Sequence, residues 1–512
     1  MRIAAIDVGS NSIHMVIAQV EADGRFRVLD RAKEMVRLGH QTLSRGRLSA
    51  RAMNTGVATL AAFRTLAERQ GVNRTKAVAT SAVREAANGG DFIARVENEV
   101  GLRLRVIPGR EEARLIYLGV RHAIDLRDGT SVIVDIGGGS VELVLVEDGK
   151  PAALESFKLG VARLTEQYLK GDPPSAASLA RLNAHFDEEL HPVLQRFARH
   201  PVRRVVGTSG TMLNLISIAG HLRGEPPDGH LNGFPVSSGE LRRVRRLLAK
   251  ANRAGRLRIK GLDAKRVDFI TAGACLADAI IRPLPAEEVV GCTWALREGV
   301  LLDFIARHRP GIEETERFAE PRRRSVARFA RHLGESGSHP TQVARLALRL
   351  FDQLNDQLQL SAAAREWLEF AALLHDVGHH ISHENHHRHA YYLITNGDLL
   401  GFRRDELEII GLAARYHRKA APKETDPEYA ALSRPLRRVV RAVSGLLRVA
   451  DALDRSHYGV VRDVVVNRHE KRVVLQVQTG GDDAALEIWE ARQRAKVLEE
   501  VLGLDVDFRV VS

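Results

Sequence analysis

The sequence predicts an α/β protein built on an internal duplication, followed by an all-helical segment and a small α/β tail. Three observations predict it. An apolar strand, Ile3-Ala4-Ala5-Ile6, runs into the polar turn Asp7-Val8-Gly9-Ser10-Asn11-Ser12 and out again as the strand Ile13–Ile17. The same design returns in Val132-Ile133-Val134, then Asp135-Ile136-Gly137-Gly138-Gly139-Ser140, then Val141–Val146. Each copy is a strand, an Asp, a Gly/Ser turn and a second strand, at a spacing longer than any solenoid repeat. Third, amphipathic helical segments run from about residue 312 to 458, before a tail that alternates strands with one helix.

The elements divide the chain in order. Residues 1–125 form the first half of the duplication and 126–305 the second, closed by an apparent helix carrying Arg297-Glu298-Gly299 and Phe304. His308-Arg309-Pro310-Gly311 reads as a linker into a helical segment, 312–458. The tail, 461–512, reads as strands Val461–Val466 and Val473–Val477, a helix Asp483–Val501 and a strand Val506–Val511. A third glycine turn, Gly207-Thr208-Ser209-Gly210-Thr211, sits between the strand Val202–Val206 and the helical Met212–Ala219.

Composition bounds the function. With 512 residues the chain has length for several cores, and 76 Lys and Arg against 64 Asp and Glu leave a net charge of +12. Such a surplus suits a polyanionic partner, whether nucleic acid, anionic membrane or inorganic phosphate polymer. Aromatic residues are only 5%, which argues against binding single strands by base stacking. Two cysteines, Cys275 and Cys292, form no CxxC pair, so a disulfide scaffold and a zinc ribbon are excluded. No signal peptide or long apolar run is evident, which predicts a cytoplasmic protein without a transmembrane segment.

The turns carry chemistry. Glycines let backbone N–H groups approach an anion, Ser hydroxyls add donors, and an Asp at a strand end can hold Mg²⁺ directly or through water. No Gly-Lys-Ser/Thr follows and a strand comes next, so neither turn is a Walker loop or a dinucleotide fingerprint. In the third turn, Gly207, Thr208 and Ser209 would offer donors beside a helix N-terminus.

Asp-x-Gly-Ser-Asn-Ser at residue 7 and Asp-Ile-Gly-Gly-Gly-Ser-x-Glu at residue 135 resemble the exopolyphosphatase / guanosine pentaphosphate phosphatase (Ppx/GppA) family. Ala79-Thr80-Ser81-Ala82-Val83-Arg84-Glu85-Ala86 and Gly109-Arg110-Glu111-Glu112-Ala113 match it in order and spacing. The resemblance implies duplicated actin-like ATPase (ribonuclease H-like) domains facing a cleft, hydrolysis of terminal phosphoanhydrides, and a homodimer.

Phosphoanhydride hydrolysis needs a group to activate water, cations for the phosphates and donors for the transferring charge. Glu112, in the first turn of a helix over Arg110–Ala123, matches the family's catalytic glutamate. Asp135 and Glu142 fit metal and water positioning, and Asp7 joins the same Mg²⁺ or Mn²⁺ site. Ser10, Asn11, Arg84, Gly137, Gly138, Gly139 and Ser140 would bind phosphate. The family usually has Ser where Pro108 stands.

The helical segment carries a second constellation. Seven of the 21 histidines fall within His375–His389, and an apolar helix ends in the adjacent pair His375-Asp376. With His339 upstream and Asp451 downstream, this resembles the HD metal-dependent phosphohydrolase superfamily, which implies a second divalent metal held by His339, His375, Asp376 and Asp451. His386, His387 and His417 could complete a further site.

Basic residues cluster at Leu241–Lys260, Arg322-Arg323-Arg324, Arg434–Arg441 and Arg415-Tyr416-His417-Arg418-Lys419. The first reads as a solvated helix face, the others as contacts for a polymer leaving the cleft. The sequence therefore predicts a Mg²⁺-dependent exopolyphosphatase that holds inorganic polyphosphate and shortens it processively. Guanosine pentaphosphate is an alternative substrate at the same site, and a nucleotide-binding sensor with an HD-domain enzyme is a different class of reading. No nucleic acid partner is expected.

Overall fold

The computed structural model describes residues 1–511 apart from 22–25, 40–45, 228, 309–319 and 336. The expected linker at 309–311 lies outside the described residues. The chain separates into two compact units, Met1–Pro321 and Arg322–Ser512, so the four expected segments fall pairwise into two bodies.

The first unit holds two sheets of one design. Strands β1 (Arg2–Val8), β2 (Ile13–Val20), β3 (Phe26–Glu34), β4 (Arg74–Ala79) and β5 (Leu104–Val106) pair in the order β3-β2-β1-β4-β5. The first three form an antiparallel meander, and β4 and β5 run parallel to β1. Strands β6 (Thr130–Ile136), β7 (Val141–Glu147), β8 (Lys150–Phe157), β9 (Val202–Thr208), β10 (Pro235–Val236) and β11 (Glu288–Gly291) pair as β10-β11-β9-β6-β7-β8. Leaving out the short β10, the second order repeats the first strand for strand. This is the ribonuclease H-like order in duplicate, the actin-like ATPase arrangement.

Burial explains the strand sequences. Every residue of β6 is buried, and Ile3, Ala4, Ala5 and Ile6 of β1 are fully buried, as central strands with covered faces require. The covers are amphipathic helices. Ala50–Arg69 begins at the capping Ser49, whose hydroxyl accepts from the N–H of Ala52, and buries Met53, Val57, Leu60 and Phe63 against the first sheet.

Two glycines set the position of the helix Gly109–Ala123. A Cβ on Gly119 would lie 2.4 Å from the carbonyl oxygen of Ala295, and one on Gly299 would lie 1.8 Å from that of Leu115. The helix therefore packs backbone to backbone against Leu296–His308, and its first turn is held at the edge of the cleft.

The second unit is a helical body whose core continues into a three-stranded sheet. Helices Ser338–Leu358, Ala362–Leu374, His386–Asn396, Arg404–Arg415 and Arg434–Ala452 share one apolar cluster with strands β12 (Asp463–Arg468), β13 (Arg472–Gln478) and β14 (Asp505–Val511). The expected tail helix Asp483–Val501 is two helices, Ala485–Arg494 and Lys496–Leu502, meeting at Ala495. No helix among the described residues is long and apolar enough to cross a membrane.

Candidate active site

The two Gly/Ser turns line a cavity of about 310 Å³ in the first unit. They close in the same way: Gly9 N–H donates to the Ser12 carbonyl at 3.1 Å, and Gly137 N–H to the Ser140 carbonyl at 3.0 Å. Register then decides what faces the cavity. Asp135 lies directly opposite Glu142 across β6 and β7, and Asp7 lies opposite His14 across β1 and β2. Directly opposed residues of an antiparallel pair share a face, so each turn presents two side chains to the cavity, Asp and Glu from one copy and Asp and His from the other.

The second turn is anchored from behind. Its Gly137 and Gly138 carbonyls accept from the N–H groups of Val161 and Ala162 at 3.0 and 2.9 Å, where the helix Val161–Tyr168 begins. That fixes the peptide planes of the loop. A Cβ on Gly139 would sit 2.4 Å from Ser81 Oγ, and Ser81 Oγ is itself 2.8 Å from Ser10 Oγ. Ser10, Asn11, Gly137, Gly138 and Ser140 line the cavity, while Gly139 fills the seam between the turns.

Glu112 occupies the first turn of Gly109–Ala123, after Pro108, whose φ of −65° suits helix entry. It is 6% exposed, and its Oε2 accepts from Arg84 Nη1 at 3.0 Å. The same nitrogen donates to the Ile107 carbonyl at 2.7 Å. Burial raises the Glu112 carboxyl to about 7, although Arg84 pulls it down.

Asp135 is raised to about 7 and Asp7 to about 8, in both cases by burial first and then by the Glu112 charge. Glu142 is pushed well above its usual range by the same two causes, while Ser156 Oγ donates to its Oε1 at 2.8 Å. Asp7 Oδ1 is buried without a hydrogen-bond partner. Three buried carboxylates and the orphaned Oδ1 of Asp7 form a donor set suited to a hard divalent cation.

The third turn is not a turn. Strand β9 runs through Gly207 and Thr208 directly into the helix Ser209–Arg223. Thr208 is fully buried, its hydroxyl donating to the Trp294 carbonyl at 2.9 Å, and neither it nor Gly207 lines the cavity. Ser209 does line it, at φ +67°, with its hydroxyl on the Ile136 carbonyl at 2.9 Å.

Sequence reasoning missed a basic wall formed by Lys33, Arg266 and Arg297, with His14 among them. Arg297 Nη1 lies 2.7 Å from His14 Nδ1, and burial together with that guanidinium lowers His14 to about 3. His14 was detectable as the duplicate of the Glu142 position. The arginines belong to segments far along the chain with no motif around them.

The second constellation assembles in the second unit. His339 begins Ser338–Leu358, His375 caps Ala362–Leu374 with Asp376 beside it, and Asp451 lies near the end of Arg434–Ala452. Asp451 Oδ1 is 3.4 Å from His339 Nε2 and 3.5 Å from His375 Nε2. His386 and His417 face Asp376, at 3.3 and 3.9 Å. His387 does not, its Nδ1 being buried without a partner, and His379 stands in its place, 3.6 Å from Asp376.

The expected basic exit contacts are largely engaged. Arg415 pairs with Glu428 at 3.0 Å, Tyr416 and His417 are buried, and Arg437 pairs with Glu424 at 3.1 Å. Arg322 reaches both Glu366 and Glu406, and Arg323 and Arg441 pair with Glu369 and Glu500. Packing of the helices uses these guanidinium groups, so the runs are not a free track.

Comparison with known proteins addresses the cleft and the helical unit together. A model of the Ppx/GppA phosphatase family matches residues 16–308, and a model of Ppx/GppA phosphatase domain III matches 322–490. An exopolyphosphatase 1 of Mycobacterium leprae is 34% identical over 304 residues, covering 59% of this chain and 89% of the relative. A guanosine-5'-triphosphate,3'-diphosphate pyrophosphatase of Photobacterium profundum is 30% identical over 416 residues, covering 81% of this chain and 80% of the relative. Among solved structures, an exopolyphosphatase from Cytophaga hutchinsonii superposes with a TM-score of 0.57 at 29% identity, covering 60% of this chain and 98% of that one. The Aquifex aeolicus member of the Ppx/GppA family gives a TM-score of 0.52, also at 29% identity and with the same coverage. With both models matched in sequence order over most of its length, the chain belongs to the Ppx/GppA phosphatase family.

Proposed function

We propose that the cleft hydrolyses the terminal phosphoanhydride bond of inorganic polyphosphate, with Glu112 as the general base. The observation that carries this reading is the division of labour on one carboxylate. Oε2 of Glu112 is held by Arg84, which leaves Oε1 to accept a proton from water in the cavity. The hydroxide forming at that water attacks the terminal phosphorus. The bond to the bridging oxygen breaks, its electron pair stays with the shortened chain, and orthophosphate leaves. The turn around Gly137, Gly138 and Ser140, together with Ser10 and Asn11, cradles the terminal phosphate, and Arg84 can fork onto its oxygens.

Asp7, Asp135 and Glu142 would hold a divalent cation, read here as Mg²⁺ or Mn²⁺, which when bound supplies charge neutralisation to the phosphates. Lys33, Arg266 and Arg297 face the same cavity and suit the phosphates behind the terminal one. A processive grip on the polymer, a cytoplasmic setting and a homodimer complete this reading. Chain-length analysis of leftover polymer and sedimentation of the purified protein test the grip and the dimer.

A second substrate has a specific observation in its favour. The relative named a guanosine-5'-triphosphate,3'-diphosphate pyrophosphatase aligns over 81% of this chain, against 59% for the exopolyphosphatase 1 relative. Guanosine pentaphosphate presents the same terminal phosphoanhydride to the same base. Phosphate release from both substrates, measured with wild type and Glu112→Gln, tests the proposal. Full hydrolysis of both by Glu112→Gln would remove Glu112 from its role, and a large preference for one substrate identifies it.

A further inference from the structure

We infer that Ser12 is a further phosphate donor of the cleft, its proton aimed into the cavity by a hydrogen-bond chain that runs from Glu298 through Arg297 and His14. The inference rests on the reading of the cleft as a phosphate site and adds Arg297 and His14 to it as positioning residues. The chain begins in the first turn of Leu296–His308, where Glu298 is fully buried. Its Oε2 accepts from the Ala295 N–H at 3.0 Å and its Oε1 from Arg297 Nε at 2.7 Å. The helix start thus holds the carboxylate, and the carboxylate holds the guanidinium.

Each later bond has only one possible direction. Arg297 Nη1 lies 2.7 Å from His14 Nδ1, and a guanidinium has no lone pair to offer, so Nδ1 accepts and carries no hydrogen. With Nδ1 bare, the ring is neutral and its one hydrogen is on Nε2. His14 Nε2 lies 2.7 Å from Ser12 Oγ, which therefore accepts. The hydrogen of the Ser12 hydroxyl then has no acceptor among the described residues. Asp7 Oδ1, on the strand row shared with His14, is without a hydrogen-bond partner and so does not receive it. Ser12 lines the cavity, which leaves a ligand there as the recipient.

The duplicated turn provides an internal comparison. Ser140 stands where Ser12 does, and Glu142 stands where His14 does. Ser140 hydrogen-bonds Glu142. An ionised carboxylate can only accept, so the Ser140 proton is taken and oxygen lone pairs are left for the cavity. One serine therefore faces the cavity as a donor and its duplicate as an acceptor, and the residue two places on decides which. The first polarity suits a phosphate oxygen, and the second suits a cation or its water. Phosphate on the second side is then left to the glycine N–H groups.

A hydroxyl with a fixed proton favours an oxygen that only accepts, as every ionised non-bridging oxygen of a phosphate chain does. It needs no reorientation when the substrate arrives. Lys33 lies opposite His14 across β2 and β3, and a second cation beside the ring favours the neutral form that the chain requires.

The test uses the full chain with its histidines labelled in nitrogen-15. Long-range proton–nitrogen correlation at neutral pH is expected to show His14 with a protonated Nε2 and a bare Nδ1, the signal being assigned by its selective shift in Ser12→Ala. A ring protonated on Nδ1, or on both nitrogens, would overturn the chain. The second readout pairs phosphate release from polyphosphate with affinity for imidodiphosphate, a non-hydrolysable phosphate chain. Loss of one hydrogen bond to a charged oxygen is expected to lower both kcat/KM and affinity in Ser12→Ala by about 10- to 150-fold. His14→Asn keeps an acceptor for Arg297 but gives Ser12 no donor, so it should lose about as much, and the double variant should lose no more than either. His14→Gln places an amide N–H near the Nε2 position and should recover most of the loss. Equal affinity in wild type and Ser12→Ala, additive losses in the double variant, or a His14→Gln no better than His14→Asn would each sink the inference. Should the His14 variants misfold by circular dichroism, the labelled wild type and Ser12→Ala decide alone. A wild type that binds imidodiphosphate but releases no phosphate from polyphosphate refutes the proposed reaction and leaves this inference standing, so the two readings fail separately.

Discussion

Arg84 places Nη1 3.0 Å from Oε2 of Glu112, joining the arginine proposed to bind phosphate to the proposed base. The guanidinium lowers a carboxyl that burial raises to about 7, so its removal leaves the burial effect unopposed. As the proposed base, Glu112 must be ionised to accept a proton, so activity is expected to rise with pH through its pKa. Arg84→Ala is expected to move that acidic limb to higher pH and to raise KM as well. Arg84→Lys, which keeps the charge and loses the fork, should leave the limb nearer its wild-type position. A pH–rate profile with an unmoved limb in Arg84→Ala would show that the pair does not set the base.

Glu112→Gln keeps the size of the side chain and its contact with Arg84 but cannot take a proton. Loss of a positioned general base costs about 10²- to 10⁴-fold in rate. The expected result is a drop of that size in kcat with KM changed little, read from initial rates of phosphate release. A raised KM at unchanged kcat would assign Glu112 to binding instead.

The cleft carboxylates also make stability depend on pH and cation. Asp7 is raised to about 8 and Asp135 to about 7, so the folded chain keeps protons that an unfolded chain releases near pH 4. More protons bound in the folded state means that stability falls as pH rises, here between about 4 and 8. In chelator, the melting temperature of the transition that includes the first unit is expected to decline from pH 5 to pH 8. Mg²⁺ should recover more of it at pH 8 than at pH 5, and Asp7→Asn should flatten the trend. Scanning calorimetry that shows no decline in chelator would mean that burial and the neighbouring charges do not hold these carboxyls protonated.

Legibility in the sequence followed locality. The duplicated turns were readable because Asp, Gly and Ser sit within one short segment whose flanking strands alternate visibly, and Asp135 and Glu142 came with them. The His-Asp cluster was readable for the same reason at His375 and Asp376, but which neighbours complete it was not. His387 and His379 are both close in sequence, and only the geometry after the helix end at Leu374 turns His379 inward. Gly207 and Thr208 looked like a loop because a Gly-Thr-Ser-Gly run marks turns, whereas strand pairing of β9 with β6 and β11 carried the backbone straight through them. Arg266 and Arg297 reach the cavity from segments with no local signal, since tertiary packing alone brings them there.

Gly160, absent from any motif, is predicted to be as necessary to the cleft as the glycines of the turn. A Cβ on it would lie 2.2 Å from both the N and the C of Gly139 and 2.3 Å from the C of Gly138, all backbone atoms that cannot rotate away. Gly160→Ala should therefore displace the loop of Gly137–Ser140, with an overpacking cost of about 1–3 kcal/mol and a loss of activity larger than that cost explains. Gly90→Ala, where a Cβ would meet nothing within 4 Å, is the matched control and should be silent in both assays.

Arg266 offers the sharpest separation of binding from chemistry. It lines the cavity with the carboxylates and rests on Gly210, where a Cβ would lie 1.8 Å from its Nη2. Burial lowers its pKa, so an anion placed beside it would meet a guanidinium that is already partly desolvated. If it holds a phosphate behind the one being removed, its contact is the same in the ground state and the transition state, so it contributes to KM and not to kcat. A hydrogen bond to a charged group is worth about 1.5–3 kcal/mol, which corresponds to a rise of about 10- to 150-fold in KM for Arg266→Ala. Gly210→Ala should copy that effect by displacing the guanidinium without removing it. A fall in kcat at constant KM would instead place Arg266 on the transferring phosphate.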